Sequence, residues 1–208
     1  MAPRLIDSTG FARKLDNPEK NKEHTSIFLN CGTKHFDLEG FTPPFGYQIR
    51  RSMDGREFRL VAGTNITAYY VKLKESSHIL PGVKHVTQVA VWRSDLPEHE
   101  AAVTGLPKLM FAYLVKHYTV VISDEEQTPD GARFWRARIR QAIASPAQFV
   151  YAWDGTKEDA EPTAIQDQET FSEEWESVMW GADRNIHQHR LFIISGKPLG
   201  HPDYWISR

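Results

Sequence analysis

The chain has 208 residues, enough for one to one and a half ordinary domains with a real hydrophobic core. Hydrophobic residues make up 40%, aromatic ones 12%, and the mean hydropathy is -0.49, which excludes a disordered or fibrous chain. No apolar run approaches the ~20 residues of a membrane span, and the single Cys31 excludes an internal disulfide or a thiolate-rich zinc site.

The first 45 residues read as an N-terminal extension. Arg13 to Glu23 is dense in charge and predicts a solvated surface segment, Ser26 to Leu29 a short strand, and Phe41-Thr-Pro-Pro-Phe45 an extended loop. From Tyr47 the pattern turns to strands. Tyr47–Arg51 and Arg56–Ala62 form a hairpin around Asp54-Gly55, followed by strands over Thr64–Lys74 and His85–Trp92. Consecutive strands with no helix between them predict an antiparallel meander.

The second half changes period. Apolar residues at 106, 109, 110, 113 and 114 predict a helix over Leu106–Tyr118, and Thr119–Ile122 a buried strand. Thr128-Pro129 has the N-cap and first-turn chemistry of a helix running to about Ile143, with Ala132, Trp135, Ile139 and Ala142 on one face. Phe149–Trp153 is a strand. Gly155 to Glu176 carries eight acidic residues against one lysine and reads mostly as a solvated excursion, with a short helix over Ser172–Trp180. Arg190–Ile194 is a last buried strand. The whole is an α/β fold: a mixed, twisted sheet with an antiparallel N-terminal meander, then β-α-β-α-β and a final strand. No repeat or flexible linker divides it, so the simplest layout is an extension (1–45) and one domain (46–208) with an acidic insertion at 155–186.

The strands at 85–92 and 119–122, joined through a helix, are expected to run parallel. Ligands in open α/β sheets gather at the carboxyl ends of such strands. Here that end brings together Trp92 to Asp95, Thr104-Gly105, Ser123-Asp124 and Gln127-Thr128.

This order of elements, from Tyr47 to Ser195, resembles the GNAT N-acetyltransferase superfamily. Ser123-Asp124-x-x-Gln127-Thr128-x-x-Gly131-x-x-x-Trp135 is similar to a pattern of GNAT-like proteins in bacteriophage genomes. The resemblance implies transfer of an acetyl group from acetyl-CoA to an amine on a small molecule, protein or nucleobase. It implies a location in the bacterial cytoplasm. The pyrophosphate is expected at Thr104, Gly105 and Lys108, the start of the crossover helix, where the dipole favours anions. The family signature there is Gln/Arg-x-x-Gly-x-Gly/Ala; this chain has one glycine, and Pro107 removes a donor. A backbone N–H from Val91, Trp92 or Arg93 would polarise the thioester carbonyl, and Thr128 and Trp135 would flank the cofactor. Trp135 stands where the family has a tyrosine acid, and an indole N–H delivers no proton at neutral pH. Either another acid substitutes, with Tyr70 and Tyr69 as the candidates, or no acyl transfer takes place.

Asp124 is the leading catalytic candidate, as a base for the amine or a binder of a cationic substrate; alternatively it and Ser123 only end the strand. The competing function is a GNAT-shaped protein without catalysis, a binding, virion-associated or host-interaction partner of a phage. His187, His189, His201 and Asp203 have no specific ligand spacing and read as surface residues, so no metal is expected. Arg133, Arg136 and Arg140 lie on one helical face. They offer a nucleic-acid contact or, the favoured reading, a face that answers the acidic stretch, because a net charge of -2 gives no wider basic field.

Overall fold

A computed structural model describes residues 4–5, 12–76, 80, 83, 85–122, 126–127, 129–158, 160–179 and 190–200. In chain order the elements are β1 (Arg4–Leu5), α1 (Ala12–Asp16), α2 (Pro18–Asn30), β2 (Thr33–His35), β3 (Tyr47–Ser52), β4 (Glu57–Ala62), β5 (Ile66–Ser76) and β6 (His85–Arg93). Then come α3 (Pro97–Val103), α4 (Leu106–His117), β7 (Thr119–Ile122), β8 (Glu126–Gln127), α5 (Pro129–Ile143), β9 (Phe149–Asp154) and β10 (Thr163–Ile165). Helix α6 (Gln168–Thr170) runs through a π-helical turn (Phe171–Trp175) into α7 (Glu176–Met179), and β11 (Arg190–Ser195) follows. The fold is mixed α/β, with the meander, the β-α-β-α-β run and the final strand in the predicted places.

The chain packs as two compact units, whose division falls within β5, β6 and α4. One comprises Gly10–Lys74 and Gln88–Leu114. In it β2, β3, β4 and β5 follow one another as antiparallel neighbours, with Asp54-Gly55 turning the β3–β4 hairpin. Phe58, Leu60, Tyr69 and Val71 are buried on one side of this sheet, where Phe36, Phe58 and Tyr113 of α4 meet edge to face.

The N-terminal region departs from expectation. Residues 14–23 are largely exposed, as expected, but helical, with Leu15 and Asn21 buried, and 26–29 are helix rather than strand. Asn17 caps α2 by accepting the Lys20 N–H at 3.0 Å, and Pro18 fills the first turn. The buried stripe of α2 is Asn21, Thr25 and Phe28, one residue per turn. Asn21 Nδ2 donates to the carbonyls of Leu15 and Thr67, each at 3.0 Å, while its Oδ1 accepts the Thr67 N–H at 2.8 Å and the Thr25 hydroxyl at 3.1 Å. The register of β4 against β5 shifts beside this point, between Leu60 and Val61. One side-chain amide thus satisfies both backbone groups of a strand residue at an irregularity.

The other unit comprises Met1–Thr9, Glu75–Thr87 and Val115–Arg208. Its strands run in the order β10-β9-β11-β7, all antiparallel, and β7 pairs in parallel with the start of β6. Leu80, Val83, Val121, Leu191 and Ile193 form a core cluster, with Tyr151 and Trp153 packed on it. The acidic stretch is more than a solvated excursion. It supplies β10 as an edge strand on β9, and the following helical segment buries Phe171 against Phe192.

Candidate functional site

The parallel arrangement of β6 and β7 is the one anticipated. Its ladder has two residue pairs, His85↔Thr119 and Val86↔Val120. Strand β7 continues through Val121 and Ile122, which pair with Ile193 and Phe192 of β11.

At the far end of β6, Val91 and Arg93 are exposed. Trp92 between them donates its indole N–H to Asp16 Oδ1 at 2.9 Å. The chain then turns: the Ser94 N–H donates to the Ala68 carbonyl, and the Ser94 hydroxyl accepts the Leu96 N–H at 3.2 Å. Leu96-Pro97 opens α3, a helix absent from the sequence reading, although a proline in the first turn is a recognised start.

Helix α3 carries the most organised polar contact of this region. Tyr47 Oη lies 2.8 Å from His99 Nδ1 and 3.0 Å from the Glu98 carbonyl, which accepts its proton. The two rings meet edge to face at 5.8 Å. Burial, and secondarily the Glu98 carboxylate, push the Tyr47 phenol above its ordinary value, so it stays protonated as a donor. Nothing in the sequence reading singled out this pair, because 52 residues separate its members.

The turn from α3 into α4 holds the predicted phosphate site. Thr104 is extended, and both its N–H and its hydroxyl donate to the Glu100 carbonyl, at 3.0 and 2.7 Å. Its donors are therefore committed to the preceding helix. Gly105 has φ +76 with open space where a Cβ would stand, so an anion can approach its backbone closely. Its carbonyl accepts the N–H groups of Lys108 and Leu109, at 3.1 and 3.2 Å, which caps α4 from within. The Lys108 side chain is exposed. Of the three predicted phosphate residues, Gly105 and Lys108 are exposed, while the donors of Thr104 are committed to Glu100.

The predicted tyrosines are interior groups. Tyr70 is 2% exposed and its ring lies 5.0 Å from the Arg59 guanidinium, which also covers Phe28. Burial pushes the Tyr70 phenol well above the usual range; Glu57 adds to this and Arg59 opposes it. Burial does the same to Tyr69. Both hold their protons tightly, which is the wrong direction for an acid working at neutral pH.

In the other unit, Trp135 is 4% exposed on the buried face of α5, beside Phe134. Arg136 and Arg140 of the same helix both reach Glu176, at 3.3 and 2.6 Å, so this arginine face does answer the acidic stretch. Asp124, Thr128, His187, His189, His201 and Asp203 lie outside the described residues. Among the described residues no group of three or more His, Cys, Asp or Glu could hold a metal ion, and no helix is long and apolar enough to cross a membrane. No family model matches the chain, and no characterised protein or solved structure does so either.

Proposed function

We propose that the chain is a GNAT-type N-acyltransferase, or a close derivative of one, that moves an acetyl group from acetyl-CoA to an amine. The observation that carries this reading is the parallel β6–β7 pair. It shares two residue pairs and is joined by a crossover whose second helix starts at an open, left-handed glycine.

Acetyl-CoA would supply an activated acyl thioester. Gly105 and Lys108 would hold its phosphates, by close backbone approach and by charge. Backbone N–H groups of Val91 to Arg93 would polarise the carbonyl that the amine attacks, a preorganised donor at the point where negative charge develops. Asp95, Glu98 and Glu100, all exposed, favour a cationic amine over a neutral one.

A second reading, the same architecture binding a partner without catalysis, draws on two observations. The donors of Thr104 are already spent, and Tyr70 is interior. Calorimetric titration of the full chain with acetyl-CoA, followed by an assay of amine acetylation, separates the two. Binding with turnover, weakened by Lys108→Glu, supports the transferase; absence of binding at millimolar acetyl-CoA supports the second reading.

A further inference from the structure

His99 has the surroundings of a working base. Its side chain sits in the first turn of α3 with 6% of the residue exposed, yet among the described residues only its Nδ1 is hydrogen-bonded. The Tyr47 hydroxyl has one proton and two neighbours, the Glu98 carbonyl at 3.0 Å and His99 Nδ1 at 2.8 Å. A carbonyl can only accept. Both contacts are hydrogen bonds only when the phenol proton goes to Glu98 and Nδ1 carries its own proton toward the Tyr47 oxygen. In the neutral ring this places the proton on Nδ1 and the lone pair on Nε2, which has no partner among the described residues. The ring is not fully sealed, because 6% of His99 remains exposed.

A nitrogen oriented through its opposite ring position by a donor chain is the arrangement by which enzymes aim an imidazole. The segment that holds it, Asp95 to Glu100, exposes three carboxylates that attract a cation. The same segment follows directly from the exposed end of β6.

We propose that His99 is the proton acceptor for a cationic primary amine, and that Tyr47 is its positioning residue. This rests on the acyltransferase reading. The ammonium form first loses one proton to solvent. As the lone pair of the free amine then forms the new carbon–nitrogen bond and the carbon–sulfur bond breaks with its electrons on sulfur, a second nitrogen proton moves to Nε2. It is afterwards released to the thiolate or to solvent. The imidazolium keeps its Nδ1–H bond to Tyr47, whose own proton stays directed at the Glu98 carbonyl, and the carboxylates of Asp95, Glu98 and Glu100 on the same segment supply opposing charge.

The test uses the full chain labelled with nitrogen-15 at histidine, together with acetyl transfer from acetyl-CoA to spermidine and to a lysyl peptide. Long-range imidazole spectra are expected to show His99 with its proton on Nδ1, and Tyr47→Phe is expected to move that proton to Nε2. A wild-type proton on Nε2 overturns the proposal. His99→Gln is expected to lower kcat by about 10²–10⁴-fold while the KM for acetyl-CoA stays within about threefold. Tyr47→Phe, which keeps the histidine, is expected to lower kcat and leave that KM unchanged. Undiminished turnover by a folded His99→Gln protein overturns the proposal and leaves the acyltransferase reading standing. Absence of turnover by the wild type removes that reading, and His99 as its base, whatever the tautomer.

Discussion

Replacing Asn21 with alanine removes the amide that fastens α2 to β5. Three buried main-chain groups lose their partner: the Leu15 carbonyl and both the N–H and the carbonyl of Thr67. Thr25 keeps its contact with the Thr67 hydroxyl at 2.7 Å, so the side-chain network is cut rather than erased. A buried polar group left unpaired costs about 1–3 kcal/mol, so three cost at least about 3 kcal/mol. That is a large share of a domain stability of about 5–15 kcal/mol. At about 2–4 °C per kcal/mol for a chain of this size, the melting midpoint should fall by about 6–12 °C. Thermal denaturation followed by circular dichroism, with urea titration as a check on cooperativity, measures it. Thr25→Val removes side-chain bonds only and should cost about 1 kcal/mol. If Asn21→Ala costs no more than Thr25→Val, the main-chain accounting is wrong and water takes the amide's place.

Three further outcomes follow from the same structure. Burial alone would raise the Asp154 carboxyl, but the Thr156 hydroxyl, Arg190 and the Thr156 N–H outweigh it and hold the group below its ordinary value. Its stabilisation is therefore complete above the usual carboxylate range near pH 4 and is lost as pH falls through the lower folded value. Asp154→Asn should thus lower stability at pH 7 and flatten the acid limb, as read by melting midpoints from pH 2 to 7. Gly55→Ala forces a side chain into a left-handed turn with φ +77 and into the Arg51 guanidinium; a loss of about 1–2 kcal/mol is expected in urea titration. Glu176→Gln releases Arg136 and Arg140 at once. Because all three side chains are partly exposed, it should cost no more than about 1 kcal/mol, and the difference from wild type should shrink in molar salt.

Period and turn chemistry made the second half of the fold legible. The stripe at Leu106, Leu109 and Met110 marked α4, Thr128-Pro129 marked the start of α5, and Asp54-Gly55 marked the hairpin. The same reasoning failed on α2, although Asn17-Pro18 carries the same signal as Thr128-Pro129. The buried stripe there is Asn21, Thr25 and Phe28, two polar residues of three, so hydrophobic periodicity is silent. Their burial depends on hydrogen bonds to a strand more than 40 residues away. The acidic stretch is mostly exposed, as read, but its many carboxylates hid Phe171 and Ile165, both buried. At the candidate site, local sequence marked Thr104, Gly105 and Lys108, all of them exposed. The commitment of Thr104 to Glu100 follows from the unforeseen helix α3. The Tyr47–His99 contact joins two elements far apart in the chain, and only the folded backbone brings them together.

Acetyl-CoA binding is the property on which the transferase reading stands, and a melting curve of the full chain with and without acetyl-CoA reads it directly. At about one hundred times its dissociation constant a ligand of the folded state adds about 2.7 kcal/mol. That corresponds to a rise of about 5–11 °C for a protein of this size. The account predicts such a rise and its reduction by Lys108→Glu; an unmoved midpoint at millimolar acetyl-CoA contradicts it.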